Sequence, residues 1–126
     1  MFKEIIISII IVCCIIGLDI LTQNYTKETV SITSEKLSNL KEKVNNKDKN
    51  ILKIIEEIYN DWEKKRGKLA YFIEHDELEK VETNLTNIKS FIEQDELTMA
   101  SNGIDEAKYI LEHIKEKNAL NLENIF

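Results

Sequence analysis

The two histidines, His75 and His113, are the first residues to test for chemistry, because each stands among carboxylates. His75 is flanked by Glu74, Asp76, Glu77 and Glu79, and His113 follows Glu112. Imidazole with carboxylate is the donor set of a helical-bundle metal centre. A di-iron centre of that kind needs a Glu three residues ahead of each His, so that both project from one helix face. Those positions hold Phe72 and Ile110. His75 is therefore read as a polar junction histidine and His113 as a surface helix histidine, with no metal ligand set. The Ser, Thr and Cys residues lack a Gly-rich elbow that would present a nucleophile. Neither a phosphate-binding nor a dinucleotide-binding glycine fingerprint occurs. The chain is expected not to be an enzyme, with no catalytic, cofactor-binding or metal residues. Cys13 and Cys14 are adjacent and lie in an apolar run, where they read as apolar filling. No cysteine follows them, so the remainder of the chain has no disulfide.

The elements that must carry such side chains are helical by composition. The 126 residues include no Pro and only three Gly, and 32% are charged, with a net charge of −6. An all-β chain needs more turn residues than this, and a hydrophobic content of 43% is too high for a disordered acidic tail. The length suits one domain.

Ile5 to Leu21 is almost wholly apolar. Its 17 residues span about 25 Å as a helix, the short end of a membrane crossing. Asp19 lies near one end, where its carboxylate reaches the headgroup region at modest cost. The favoured reading is a single transmembrane anchor over residues 1–22. A cleaved signal peptide is second, weakened by the lack of a small-x-small cleavage site and by the single basic residue, Lys3, before it. A buried core helix is third, since the run has no polar face. The flanking charges cancel in pairs, Lys3 with Glu4 and Lys27 with Glu28, so orientation rests on the short lead. The expectation is an N-terminus inside the cell membrane and an extracytoplasmic bundle over residues 23–126.

Beyond the apolar run, residues 22–29 are polar and read as a linker or a continuing helix. Helical seams then follow at Val30, Leu37, Leu40 and Val44; at Ile51, Ile55, Ile58, Trp62, Leu69 and Ile73; at Leu78, Val81, Leu85, Ile88 and Ile92; and at Leu97, Ala100, Ile104, Ala107, Leu111 and Ile114. The predicted fold is all-α, a transmembrane helix continuing into an antiparallel bundle of about four helices. The second helix is expected from about Asp48, as N-cap, to Phe72. Gly67 is expected to mark a close helix approach, and Gly103 a kink. The segment Phe72-Ile-Glu-His-Asp-Glu-Leu78 recurs as Phe91-Ile-Glu-Gln-Asp-Glu-Leu97. Both copies are read as helix junctions in which Asp76 and Asp95 cap the next helix, with an uninterrupted helix as the alternative. The tail at Leu120, Leu122, Ile125 and Phe126 is apolar enough to dock on the bundle or a partner.

Residues 27–68 carry eleven basic and eight acidic side chains, and residues 69–126 carry five and thirteen. The acidic distal half argues against nucleic acid as a partner. Lys64, Lys65 and Arg66, with Lys68, are either a solvated face or a surface for lipid headgroups or an acidic partner.

The apolar lead, the mid-chain Trp62, the segment Phe72 to Glu79, and the ending from Leu111 through Asn118 to Phe126 together resemble a bacterial family, domain of unknown function 4363. The resemblance covers nearly the whole chain. It implies a single-span membrane protein with a helical extracytoplasmic domain, encoded near a multi-span membrane protein, and it implies no activity and no catalytic residues.

The function expected from these readings is a membrane-anchored accessory protein that binds another membrane protein. Its partners are the bilayer and that protein, and its candidate contacts are Asp19, Lys64, Lys65, Arg66 and Phe126. The alternative is an extracytoplasmic ligand- or metal-sensing bundle using His75 or Trp62. It ranks second because only four residues precede the span, leaving no room there for an output domain. The oligomeric state is left open.

Overall fold

The computed structural model describes residues 1–125, with side-chain surroundings through Ala119. Four helices follow one another: α1 (Phe2–Asn45), α2 (Ile51–Leu69), α3 (His75–Glu93) and α4 (Leu97–Ile125). α1 is one unbroken helix of 44 residues, about 66 Å long. Its first part carries the apolar run, and its second part is one of the four helices that form the bundle core, with Val30, Leu37, Leu40 and Val44 buried. The polar stretch at 22–29 is thus a continuation of the helix. No Pro or Gly there interrupts the backbone hydrogen bonds.

The bundle is a four-membered ring. α1 packs on α2 and α4, and α3 packs on α2 and α4, while the diagonal pairs stay apart among the described residues. Ion pairs fix the antiparallel registers: Lys36 with Asp61, Lys41 with Asp105 at 2.8 Å, Lys89 with Glu56 at 3.6 Å, and Lys117 with Glu74 at 3.2 Å. The α1–α2 and α3–α4 connections consequently lie at the end far from the apolar run. The α2–α3 connection lies at the near end, and α4 runs back toward it.

The core is built from the four seams. Every seam residue named from spacing is buried except Ile73 and Leu97, which pack against the core half-buried. Threonines complete it. Thr26, Thr29 and Thr33 of α1 are buried beside Val30. The Thr26 hydroxyl donates to the Thr22 carbonyl at 2.8 Å, which satisfies the hydroxyl and leaves the methyl to pack.

The helix ends differ from the sequence expectations. α2 begins at Ile51, with Asn50 as the cap residue, and ends at Leu69. The Asp48 carboxylate instead accepts the Asn50 N–H at 2.9 Å in the preceding turn. The two repeat copies do not adopt the same structure. In the first, Phe72 and Ile73 lie in the connection and Asp76 is already in the first turn of α3, behind the cap residue Glu74. In the second, Phe91 and Ile92 close α3, and Asp95 takes a left-handed conformation (φ 58°). There the Glu96 N–H returns to the Phe91 carbonyl and the Asp95 N–H to the Ile92 carbonyl. Neither aspartate caps a helix. The α3 seam needs Ile92 four residues after Ile88, so the helix persists into the second copy and ends at Glu93, whereas α2 ends at Leu69, before the first copy begins. Lys47 (φ 54°) ends α1 in the same way as Asp95 ends α3.

The glycines also differ from expectation, since neither kinks its helix and the close approach is at Gly103. A Cβ on Gly67 meets nothing within 4 Å, so no helix approaches there. A Cβ on Gly103 would lie 3.0 Å from Ile88 Cγ1, and α4 runs through this position unbroken. Gly103 is where α3 and α4 come closest to needing a glycine. Gly67→Ala is expected to stabilise the bundle by about 0.5–1 kcal/mol through helix propensity. Gly103→Ala is expected to destabilise it, because the fully buried Ile88 must yield. Chemical denaturation of the two variants against the parent checks the opposite signs.

Candidate functional site

Among the described residues no group of three or more His, Cys, Asp or Glu side chains is arranged to hold a metal ion. His75 opens α3 and is largely exposed, near Arg66 (3.5 Å) and Glu79 (3.9 Å). His113 is exposed on α4, beside Glu77, Lys80 and Tyr109.

The most connected polar cluster lies across α2 and α3. Arg66 forms an ion pair with Glu82, and the Tyr59 hydroxyl donates to the other Glu82 oxygen at 3.2 Å. Glu63 lies on the same face, 4.0 Å from Arg66. Hydrogen bonding to Glu82, then burial and the Glu82 charge, hold the Glu63 carboxyl above its ordinary value, and Arg66 offsets part of this. Burial, followed by the Glu63 charge, also raises the Tyr59 phenol. Asp61, two residues from Glu63, faces α1. The hydrogen bond from Lys36 holds its carboxyl below the ordinary value, with Lys65 assisting at 3.6 Å.

These two shifts act on stability with opposite signs. Asp61, lowered in the fold, contributes stability above its unfolded value, and this is lost as pH falls through its folded value. Glu63, raised in the fold, binds its proton more tightly when folded, so its ionisation removes stability as pH rises through the acidic range. Glu63→Gln is therefore expected to stabilise the bundle at pH 7 by a few tenths of a kcal/mol, a small effect because the side chain is partly exposed. The gain should vanish below about pH 3, where Glu63 is protonated in both states. Urea denaturation at the two pH values measures it.

The sequence-derived contact residues separate accordingly. Lys65 is paired with Asp61, and Arg66 with Glu82 and Glu63. Lys64 is exposed and forms no ion pair among the described residues. Lys68 is exposed, with its ammonium 5.9 Å from the Tyr25 ring centre. Asp19 is half-buried at the end of the apolar run, and its backbone carbonyl accepts the Thr22 hydroxyl at 2.9 Å. Phe126 and the side chains of the apolar tail from Leu120 lie outside the described residues. The structure brings Lys64, Lys65, Arg66 and Lys68 to the same end of the bundle as Asp19.

Besides the α1 threonines, two polar residues are buried that the apolar spacing does not mark. Glu77 sits at the start of α3, with Lys117 and Lys80 each 3.8 Å away. Asn84 is buried on the same helix face, seven residues on. Their spacing from each other is helical, but neither residue type signals burial.

The apolar part of α1 is the largest unexplained surface. Residues 1–15 are all exposed. Eleven aliphatic side chains between Ile5 and Leu21 are each 47–66% exposed. This is one helix long and apolar enough to cross a membrane, with none of that stretch buried in the fold.

Among known proteins, a family model described as a domain of unknown function, DUF4363, matches residues 20–125. No curated protein and no solved structure matches the chain.

Proposed function

The chain thus belongs to the DUF4363 family, and we propose that it is a membrane-anchored accessory protein that binds another membrane protein. One observation carries this reading. The exposed apolar run and the first bundle helix are a single continuous α1. Leaving eleven half-exposed aliphatic side chains in water forgoes on the order of 10 kcal/mol, which a bilayer recovers. The continuous helix then holds the bundle directly at the membrane surface. Our reading of orientation places the N-terminus inside and the bundle outside, in keeping with the short lead.

Asp19 supports a partner within or beside the membrane. A carboxylate at the edge of an apolar helix, one turn before Gln23, offers a polar contact to a neighbouring membrane helix. Lys64 adds a cation, without an ion-pair partner among the described residues, on the bundle surface close to that end.

Co-purification of a tagged chain from native membranes after mild crosslinking tests the reading. The expected result is stoichiometric recovery of a membrane protein, reduced by Asp19→Leu. Recovery of the chain alone from the membrane fraction would count against the accessory role and favour a self-contained ligand-binding bundle.

A further inference from the structure

The register of the bundle places one connection at the bilayer boundary. Leu21 is the last residue of the apolar run, and Tyr25 lies four residues further, about 6 Å along the helix. A bilayer's polar layer is about 5–7 Å deep on each side of the hydrocarbon core. Tyr25 therefore stands within or at the edge of that layer when α1 crosses the membrane. The Tyr25 ring meets the Phe72 ring edge-on at 6.3 Å, and the Lys68 ammonium is 5.9 Å from the Tyr25 ring centre. Residues 68–72 are thus at the same depth as Tyr25.

What this connection exposes is chemically specific. Tyr71 is 90% exposed, more than any other aromatic side chain among the described residues. Its fold gives it no packing role. Tyrosine has an apolar ring and a polar tip, which suits the headgroup level of a bilayer. Lys68 and Lys64, on the last turns of α2, are exposed and have no carboxylate partner among the described residues, whereas Lys65 and Arg66 are occupied by Asp61 and Glu82. Cations within about a Debye length of an anionic surface are each attracted to it by about 1 kcal/mol.

We infer that the α2–α3 connection is a second membrane contact: Tyr71 seats in the headgroup layer of the bilayer that α1 crosses, and Lys68 and Lys64 face lipid phosphates. This rests on reading α1 as a membrane span. The contact fixes the rotation of the bundle about α1, because only one side of the bundle carries the connection. The face on the far side of α1 is then the one raised from the surface and open to a partner.

The test uses the full chain with Cys13→Ala and Cys14→Ala in vesicles of phosphatidylcholine and phosphatidylglycerol. A fluorophore is placed singly through Ile10→Cys, Ala70→Cys or Tyr109→Cys. Ala70 is exposed and leaves Tyr71 intact, and Tyr109 is 75% exposed at mid-bundle. Spin labels on lipid headgroups should quench position 70 several-fold more than position 109. Adding Tyr71→Ser and Lys68→Ser should bring position 70 down toward 109. Equal, weak quenching at 70 and 109, with position 10 strongly quenched by acyl-chain labels, would overturn the inference while keeping the anchor. Absence of acyl-chain quenching at position 10 would remove the membrane reading itself, and this inference with it.

Discussion

Trp62→Ala is expected to cost the bundle about 3–5 kcal/mol, the largest single loss available in its core. Trp62 is 1% exposed and the bulkiest fully buried side chain. It sits on α2 next to Asp61, whose pairing with Lys36 places it at the level of Thr33 and Leu37 of α1. A domain of this size is stable by only about 5–15 kcal/mol, so the variant should approach its unfolding threshold. Trp62→Phe is a sharper comparison. The indole N–H is buried with no hydrogen-bond partner among the described residues, and such an unsatisfied donor costs about 1–3 kcal/mol. Phenylalanine removes that cost while retaining most of the volume. Its loss should therefore fall well below that of alanine. Urea denaturation followed by circular dichroism measures both; each variant removes the N–H, so equal losses for Phe and Ala would show that the phenylalanine ring recovers none of the indole packing.

Deleting residues 1–15 is expected to move the chain from the membrane fraction to the soluble fraction without unfolding the bundle. All fifteen residues are exposed, and every buried core residue lies at Thr26 or beyond. The deletion removes eight of the eleven exposed aliphatic side chains, and the short stub that remains cannot span a hydrocarbon core of about 30 Å. The midpoint of thermal unfolding in solution should match that of the full chain in detergent within a few degrees. Loss of helical signal on deletion would mean that the apolar part of α1 contributes to the fold.

How much of this was legible in the sequence follows from where side-chain type and position agree. The heptad-like spacing of Leu, Ile, Val and Ala located nearly the whole core, because those residues are buried for the same reason that they are apolar. The α1 seam looked shorter than it is. Traced back from Leu37 at spacings of four and three, it passes through Thr33, Val30 and Thr26, and a search for apolar residues alone steps over both threonines. Thr26, which returns its hydroxyl to its own helix, is apolar to its neighbours, and only the spacing reveals it. The junctions were less legible. Phe-Ile-Glu-x-Asp-Glu-Leu is the same string twice, yet helix ends are set by where each seam stops packing, which the string does not contain. The polar cluster of Tyr59, Glu63, Arg66 and Glu82 was invisible, since it joins residues of two helices whose relative rotation is a tertiary property. Arg66 consequently read as an outward contact, and the fold occupies it. The depth of Tyr71 was hidden for the same reason: its distance from Leu21 in the chain says nothing of their shared end of the bundle.

The proposed function requires the apolar part of α1 to lie in a bilayer, and the unmodified chain carries its own reporters. Cys13 and Cys14 are the only cysteines, and both are exposed on the surface of the helix. In native membranes, a water-soluble maleimide should leave both thiols unmodified until the sample is denatured, after which both should react. Full modification before denaturation would contradict the account, because a helix that leaves these two thiols in water does not cross a membrane.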